Sequence, residues 1–139
     1  MLARGPPAYL ADFGIARAIQ LAGERPITDS GVAVGTPAYM SPEQLLAERR
    51  LDGRSDVYSL AMVCYEMLAG VPPYYSAVLD CVDNSRKFGE PPRPLADHGV
   101  TGVPEAVERA VRRALARDRA QRFARPRDFA AALGRVPAA

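Results

Sequence analysis

Residues 35–44 read Gly35-Thr36-Pro37-Ala38-Tyr39-Met40-Ser41-Pro42-Glu43-Gln44, and the second half of this stretch spells the start of a helix. Ser41 supplies an N-cap hydroxyl, Pro42 suits the first helical position where no N–H is needed, and Gln44 stands three residues on to close a capping box. A short helix through Leu46 is therefore predicted. Upstream, residues 15–35 show neither a helical nor an alternating period and carry Gly23, Pro26 and Gly31. They read as a long irregular segment, of a length that in compact domains is more often functional than decorative. Before it, Ala8 to Ala11 form a short apolar run after Gly5-Pro6-Pro7, a strand entered from a turn that runs into Asp12-Phe13-Gly14.

Downstream, Ser55 or Asp56 is placed to cap a second helix reaching about Ala69, stopped by Gly70 and Pro72-Pro73. Its residues Val57, Leu60, Ala61, Val63, Cys64, Met67 and Leu68 are apolar around most of the circumference, so it belongs in the middle of a core. Ala77 to Val82 is a weaker helical candidate, and Gly89 to Pro104 is a proline-rich connector. From Pro104 to Arg117, the residues Val107, Ala110, Val111, Ala114 and Leu115 recur at i, i+3, i+4, i+7 and i+8, the signature of one buried stripe with arginines opposite. A last helix from Pro126 to Leu133 packs Phe129 and Leu133 and ends at Gly134. The expected class is mainly α, with short N-terminal strands, an irregular segment and then a helical bundle.

The chain has 139 residues, 48% hydrophobic and 24% charged, with a formal net charge of +2. Such a balance excludes a disordered tail and predicts one soluble domain. The longest apolar run, Leu60 to Val71, is interrupted by Glu66 and is too short to span a bilayer, which needs about 20 residues. Cys64 and Cys81 lie outside any CxxC or Cys/His pattern, so buried or partly buried free thiols in a reducing, cytoplasmic setting are expected and no disulfide or metal cluster is. Lys87 is the sole lysine and His98 the sole histidine; the other basic residues are arginines, many of them between Arg109 and Arg127. Acidic residues nearly cancel them and only Phe123 interleaves, so a solvated helix face is expected rather than nucleic-acid binding.

Taken in order, Asp12-Phe13-Gly14, the block from Gly35 to Glu43, and Asp56-Val57-Tyr58-Ser59-Leu60 resemble the C-terminal lobe of a protein kinase. Ile15-Ala16-Arg17, the Gly-Thr-Pro-x-Tyr-Met-Ser-Pro-Glu-Gln wording and Asp118-Arg119-Ala120-Gln121-Arg122-Phe123 are similar specifically to bacterial serine/threonine kinases of the eukaryotic-like type. The resemblance covers about Ala8 to Leu133, giving a partial kinase domain over residues 1–134 and a tail over 135–139. It implies ATP-dependent phosphoryl transfer to serine or threonine of protein substrates, with ATP and Mg2+ as cofactors of the intact domain. Asp12 corresponds to the magnesium-holding carboxylate. Phe13 corresponds to the residue whose packing sets the active or inactive pose, and Gly14 to the pivot beside it. Residues 15–34 correspond to the activation segment, in which Thr28 and Ser30 are candidate phosphorylation sites. Thr36 corresponds to the threonine that braces the catalytic loop and marks serine/threonine specificity, and Pro37, Ala38 and Tyr39 to the wall that receives the substrate residue after the phosphoacceptor. Glu43 and Arg122 correspond to a buried ion pair, and Asp56 to the aspartate that caps the central helix.

The family also requires a glycine-rich loop, a strand lysine with its glutamate, and a His-Arg-Asp catalytic loop with an asparagine. Lys87 and His98 stand far downstream of Asp12, so none of these is found in the 139 residues. The chain is therefore expected to be inactive alone, without productive ATP or Mg2+ binding, as an N-terminally truncated or mis-started kinase. The other reading is a non-catalytic, kinase-like protein-binding module; an open frame before Met1 encoding the missing motifs separates the two. Self-association through uncovered apolar surface is expected, because the apolar central helix asks for neighbours on every side.

Overall fold

A computed structural model describes residues 37–134. The strand at 8–11, Asp12, Phe13, Gly14, Thr28, Ser30 and Thr36, and the tail from 135, lie outside the described residues. The first described element is a 3-10 turn, Pro37–Tyr39, followed by the short helix α1, Pro42–Leu45. The capping box forms as predicted: the Ser41 hydroxyl accepts from the Gln44 amide at 3.3 Å, and the Ser41 amide donates to Gln44 Oε1 at 2.9 Å.

The long helix α2, Gly53–Ala69, starts earlier than predicted because its N-cap is Asp52, whose carboxylate accepts from the Arg54 amide at 2.9 Å. Neither Ser55 nor Asp56 caps it. Ser55 is buried within the first turn, and Asp56 lies exposed in that turn. At the other end Gly70 takes φ 80, a left-handed conformation open to glycine at little cost, and its amide bonds to the Glu66 carbonyl at 2.8 Å. Val57, Tyr58, Ala61, Met62 and Tyr65 are buried, a stripe on one side of the helix. The opposite side differs from the all-round burial predicted: Val63 is 44% and Met67 80% exposed.

The stretch 77–82 is not helical. Tyr75–Ser76 (β1) and Cys81–Val82 (β2) pair antiparallel, Tyr75 opposite Val82 and Ser76 opposite Cys81. Asp80 turns the hairpin at φ 50, and the Tyr75 hydroxyl donates to its carboxylate at 2.6 Å. A short apolar run carries too little periodicity to separate strand from helix, and here local side-chain bonding to a turn aspartate wins. Cys81 is exposed rather than buried, and Cys64 half-buried; both are free thiols. Two further 3-10 turns, Asn84–Phe88 and Leu95–His98, shape the connector.

Helix α3, Glu105–Ala114, buries Ala110, Val111 and Ala114, and Leu115 closes it, so the predicted stripe is present but the helix stops short of Arg117. Helix α4 runs Pro126–Gly134 and buries Phe129. α2, α3 and α4 pack pairwise around one core that also takes in Leu95 and Phe123. The described fold is thus mainly helical, with two short strands. No described helix is long and apolar enough to cross a membrane.

Candidate functional site

Residues 37–40 form a strip laid along α2 and held from three directions. Ser59 donates from its hydroxyl to the Tyr39 carbonyl at 2.8 Å. The Tyr39 hydroxyl donates to Glu66 Oε2 at 2.5 Å, and that bond, with burial behind it, raises the Tyr39 pKa. The third tie is Lys87, whose ammonium donates to the carbonyls of Ala38 at 2.8 Å and Met40 at 2.9 Å and reaches that of Pro37 at 3.4 Å. Three N–H donors meet three acceptors, an arrangement a planar guanidinium could not reproduce. Lys87 is only 2% exposed, and burial pulls its pKa down to about 8. No carboxylate pairs with it among the described residues.

Below the strip, Glu43 and Arg122 meet as predicted across 79 residues in a two-pronged pair, with Nη1 to Oε1 at 2.6 Å and Nη2 to Oε2 at 2.9 Å. Ser55 adds a hydroxyl bond to Glu43 Oε1 at 2.7 Å. Arg122 also donates to the carbonyls of Ala116, Arg117 and Arg54 at 2.6, 2.9 and 3.1 Å, so its guanidinium is satisfied on every edge. Burial by itself would raise the Glu43 pKa; the bonds from Arg122 and Ser55 outweigh it and hold the carboxyl at about 2. Tyr58 lies between the two cations, its ring 5.8 Å from Lys87 Nζ and 4.8 Å from Arg122 Cζ. Burial pushes its phenol well above the ordinary tyrosine range.

Of the residues singled out in the sequence, Pro37, Ala38 and Tyr39 therefore sit together in the strip, Glu43 and Arg122 sit together beneath it, and Asp56 stands apart from both on the first turn of α2, its side chain partly open to solvent. Burial and the nearby Asp52 raise the Asp56 pKa. Lys87, Ser55, Ser59 and Glu66 were missed as contributors. For Lys87 a signal existed: one lysine among seventeen arginines marks a place where the guanidinium does not suit. No group of three His, Cys, Asp or Glu side chains able to hold a metal ion forms among the described residues.

Comparison with known proteins matches the family model for the protein kinase domain over residues 3–130. The serine/threonine-protein kinase PknH of Mycobacterium tuberculosis is 36% identical over 132 residues, covering 95% of this chain and 20% of its own length. PknL of the same organism is 40% identical over 115 residues, 83% of this chain and 27% of its own length. PknD, again from Mycobacterium tuberculosis, is 36% identical over 125 residues, 90% of this chain and 18% of its own length. The chain spans roughly a fifth to a quarter of these relatives. With a family model matched along nearly its whole length, the chain belongs to the protein kinase family, among the bacterial serine/threonine kinases of the eukaryotic-like type.

Proposed function

We propose that this chain is the substrate-side half of a serine/threonine protein kinase domain and that by itself it transfers no phosphate. The observation that carries this reading is Lys87. Phosphoryl transfer in the family needs a lysine on the nucleotide phosphates, and the only lysine in the sequence is buried with its ammonium on the carbonyls of residues 37, 38 and 40. His98, the only histidine, is followed by glycine, so no His-Arg-Asp base is available either.

Protein kinases use ATP and Mg2+. The described residues do not fit that pair: they gather no carboxylate cluster, and their one ammonium is already committed. Asp12, with Phe13 and Gly14 beside it, is the proposed magnesium-side element. Thr28 and Ser30 are the proposed phosphorylation sites, and Thr36 the brace that sets serine/threonine specificity. Pro37, Ala38 and Tyr39 are the proposed wall for the substrate residue after the acceptor; Ser59 and Lys87 hold the backbone there and Glu66 holds the Tyr39 side chain, so that a docking peptide meets a preordered surface. Asp56 is the proposed brace for a catalytic loop.

The test is transfer of labelled phosphate from ATP to a general protein substrate such as casein. Purified chain should give no transfer above background. Transfer that disappears in Asp12→Ala would overturn the proposal.

A further inference from the structure

Apart from Arg122, the arginines between Arg109 and Arg127 play no part in the site described above, and four of them line a groove. Between the segment 87–92 and α3 with the turn after it lies a concavity of about 700 Å3. Arg109, Arg112, Arg113 and Arg117 all face it, while the only carboxylate on its wall, Glu90, is paired with Arg86 at 2.8 Å. Lys87 forms part of its floor but turns its ammonium away to the strip. A chain with a net charge of only +2 thus concentrates four guanidinium groups along one trough.

Two of these groups are fixed in place. Arg113 stacks over Phe123, Cζ 4.2 Å from the ring centre, and spends only Nε on the Gln121 carbonyl at 3.2 Å. Arg117 lies over Phe88 at 5.8 Å and gives one Nη to the Phe88 carbonyl. Their remaining N–H groups have no partner among the described residues. Arg109 and Arg112 are held only loosely, at 3.6 Å from Glu105 and 3.9 Å from Glu108, and Glu108 already accepts from the Leu95 amide at 3.0 Å. Fixed guanidinium forks with open edges are preordered receptors for carboxylate or phosphate oxygens.

Spacing narrows the ligand. Arg109 and Arg113 are one helical turn, about 6 Å, apart, and alternate side chains of an extended peptide repeat every 6 to 7 Å or about that. The opposite wall carries Pro91 and Pro92, stiff apolar surface against which a peptide backbone can lie. Nucleic acid is the poorer match, because the groove carries a single aromatic ring, Phe88, with Arg117 over one of its faces, and no series of rings on which successive bases could stack. We propose that this groove binds an extended acidic peptide segment with negatively charged side chains at alternating positions.

The test is fluorescence anisotropy of the whole chain with a labelled peptide of about ten residues alternating Glu and Ala, against the same composition with all Glu in one block and against an RNA oligomer of similar charge. The alternating peptide should bind, and the double substitution Arg109→Gln with Arg112→Gln, at exposed positions that keep a good helix former, should weaken it at least about tenfold with little change in the melting temperature. A second pair, Arg113→Gln with Arg117→Gln, should weaken it as well. Equal binding of the block peptide, equal or tighter binding of RNA, or unchanged affinity in the first double variant would each overturn the proposal.

Discussion

Glu43 is the residue on which the lower half of the site turns, because its two oxygens account for both prongs of Arg122 and for Ser55. Removing either partner of the pair leaves a buried charge without compensation, so Glu43→Ala and Arg122→Ala should each cost about 3 to 5 kcal/mol in urea unfolding. The double variant should cost clearly less than their sum, since both single changes break the same contact. Additive costs would show that the two side chains do not meet. Acid should act on the same group. The Glu43 carboxyl is held at about 2 against an ordinary 4.5, so its contribution is fully present above pH 4.5 or thereabouts and fades as pH falls from there toward 2. Glu43→Gln should flatten that part of the stability profile.

Among the elements, α2 shows where local chemistry stops deciding. Asp52, Ser55 and Asp56 are all good capping types within five positions, and nothing local ranks them. Ser55 is withdrawn from the contest by Glu43, twelve residues earlier, and Asp52 takes the cap. Asp52→Ala should therefore lower stability by about 1 kcal/mol, read as a drop in melting temperature, while Asp56→Ala should have a smaller effect; the reverse order would move the cap back to Asp56. The capping box at Ser41 and the stripe of α3 were legible because their partners lie within a few residues of one another. The Glu43–Arg122 pair was legible through the family resemblance alone, since no local pattern spans 79 residues. For Lys87 only its singularity among seventeen arginines was visible, since its role exists only when residues 37–40 return to meet it, and the 75–82 hairpin was not legible, as the six residues 77–82 hold less than two helical turns of pattern.

For the molecule as a whole, the side of α2 away from the core matters most. Val63 and Met67, one turn apart, are exposed, and Leu60 beside them is only half-buried. Covering apolar surface returns about 25 cal/mol per Å2, so this face should draw copies together as concentration rises. Light scattering should show concentration-dependent mass, and Val63→Ser with Met67→Gln should abolish it; a monomer at every concentration would count against an apolar association face. The placement of Lys87 has a different consequence, for proteolysis. A protease that cuts only after lysine has a single cleavage site in all 139 residues, and that site sits where the connector is tied to the 37–40 strip. Cutting then requires the tie to open, so the rate at which two fragments appear reports how often the strip lets go, from an untagged protein and with no reporter built in.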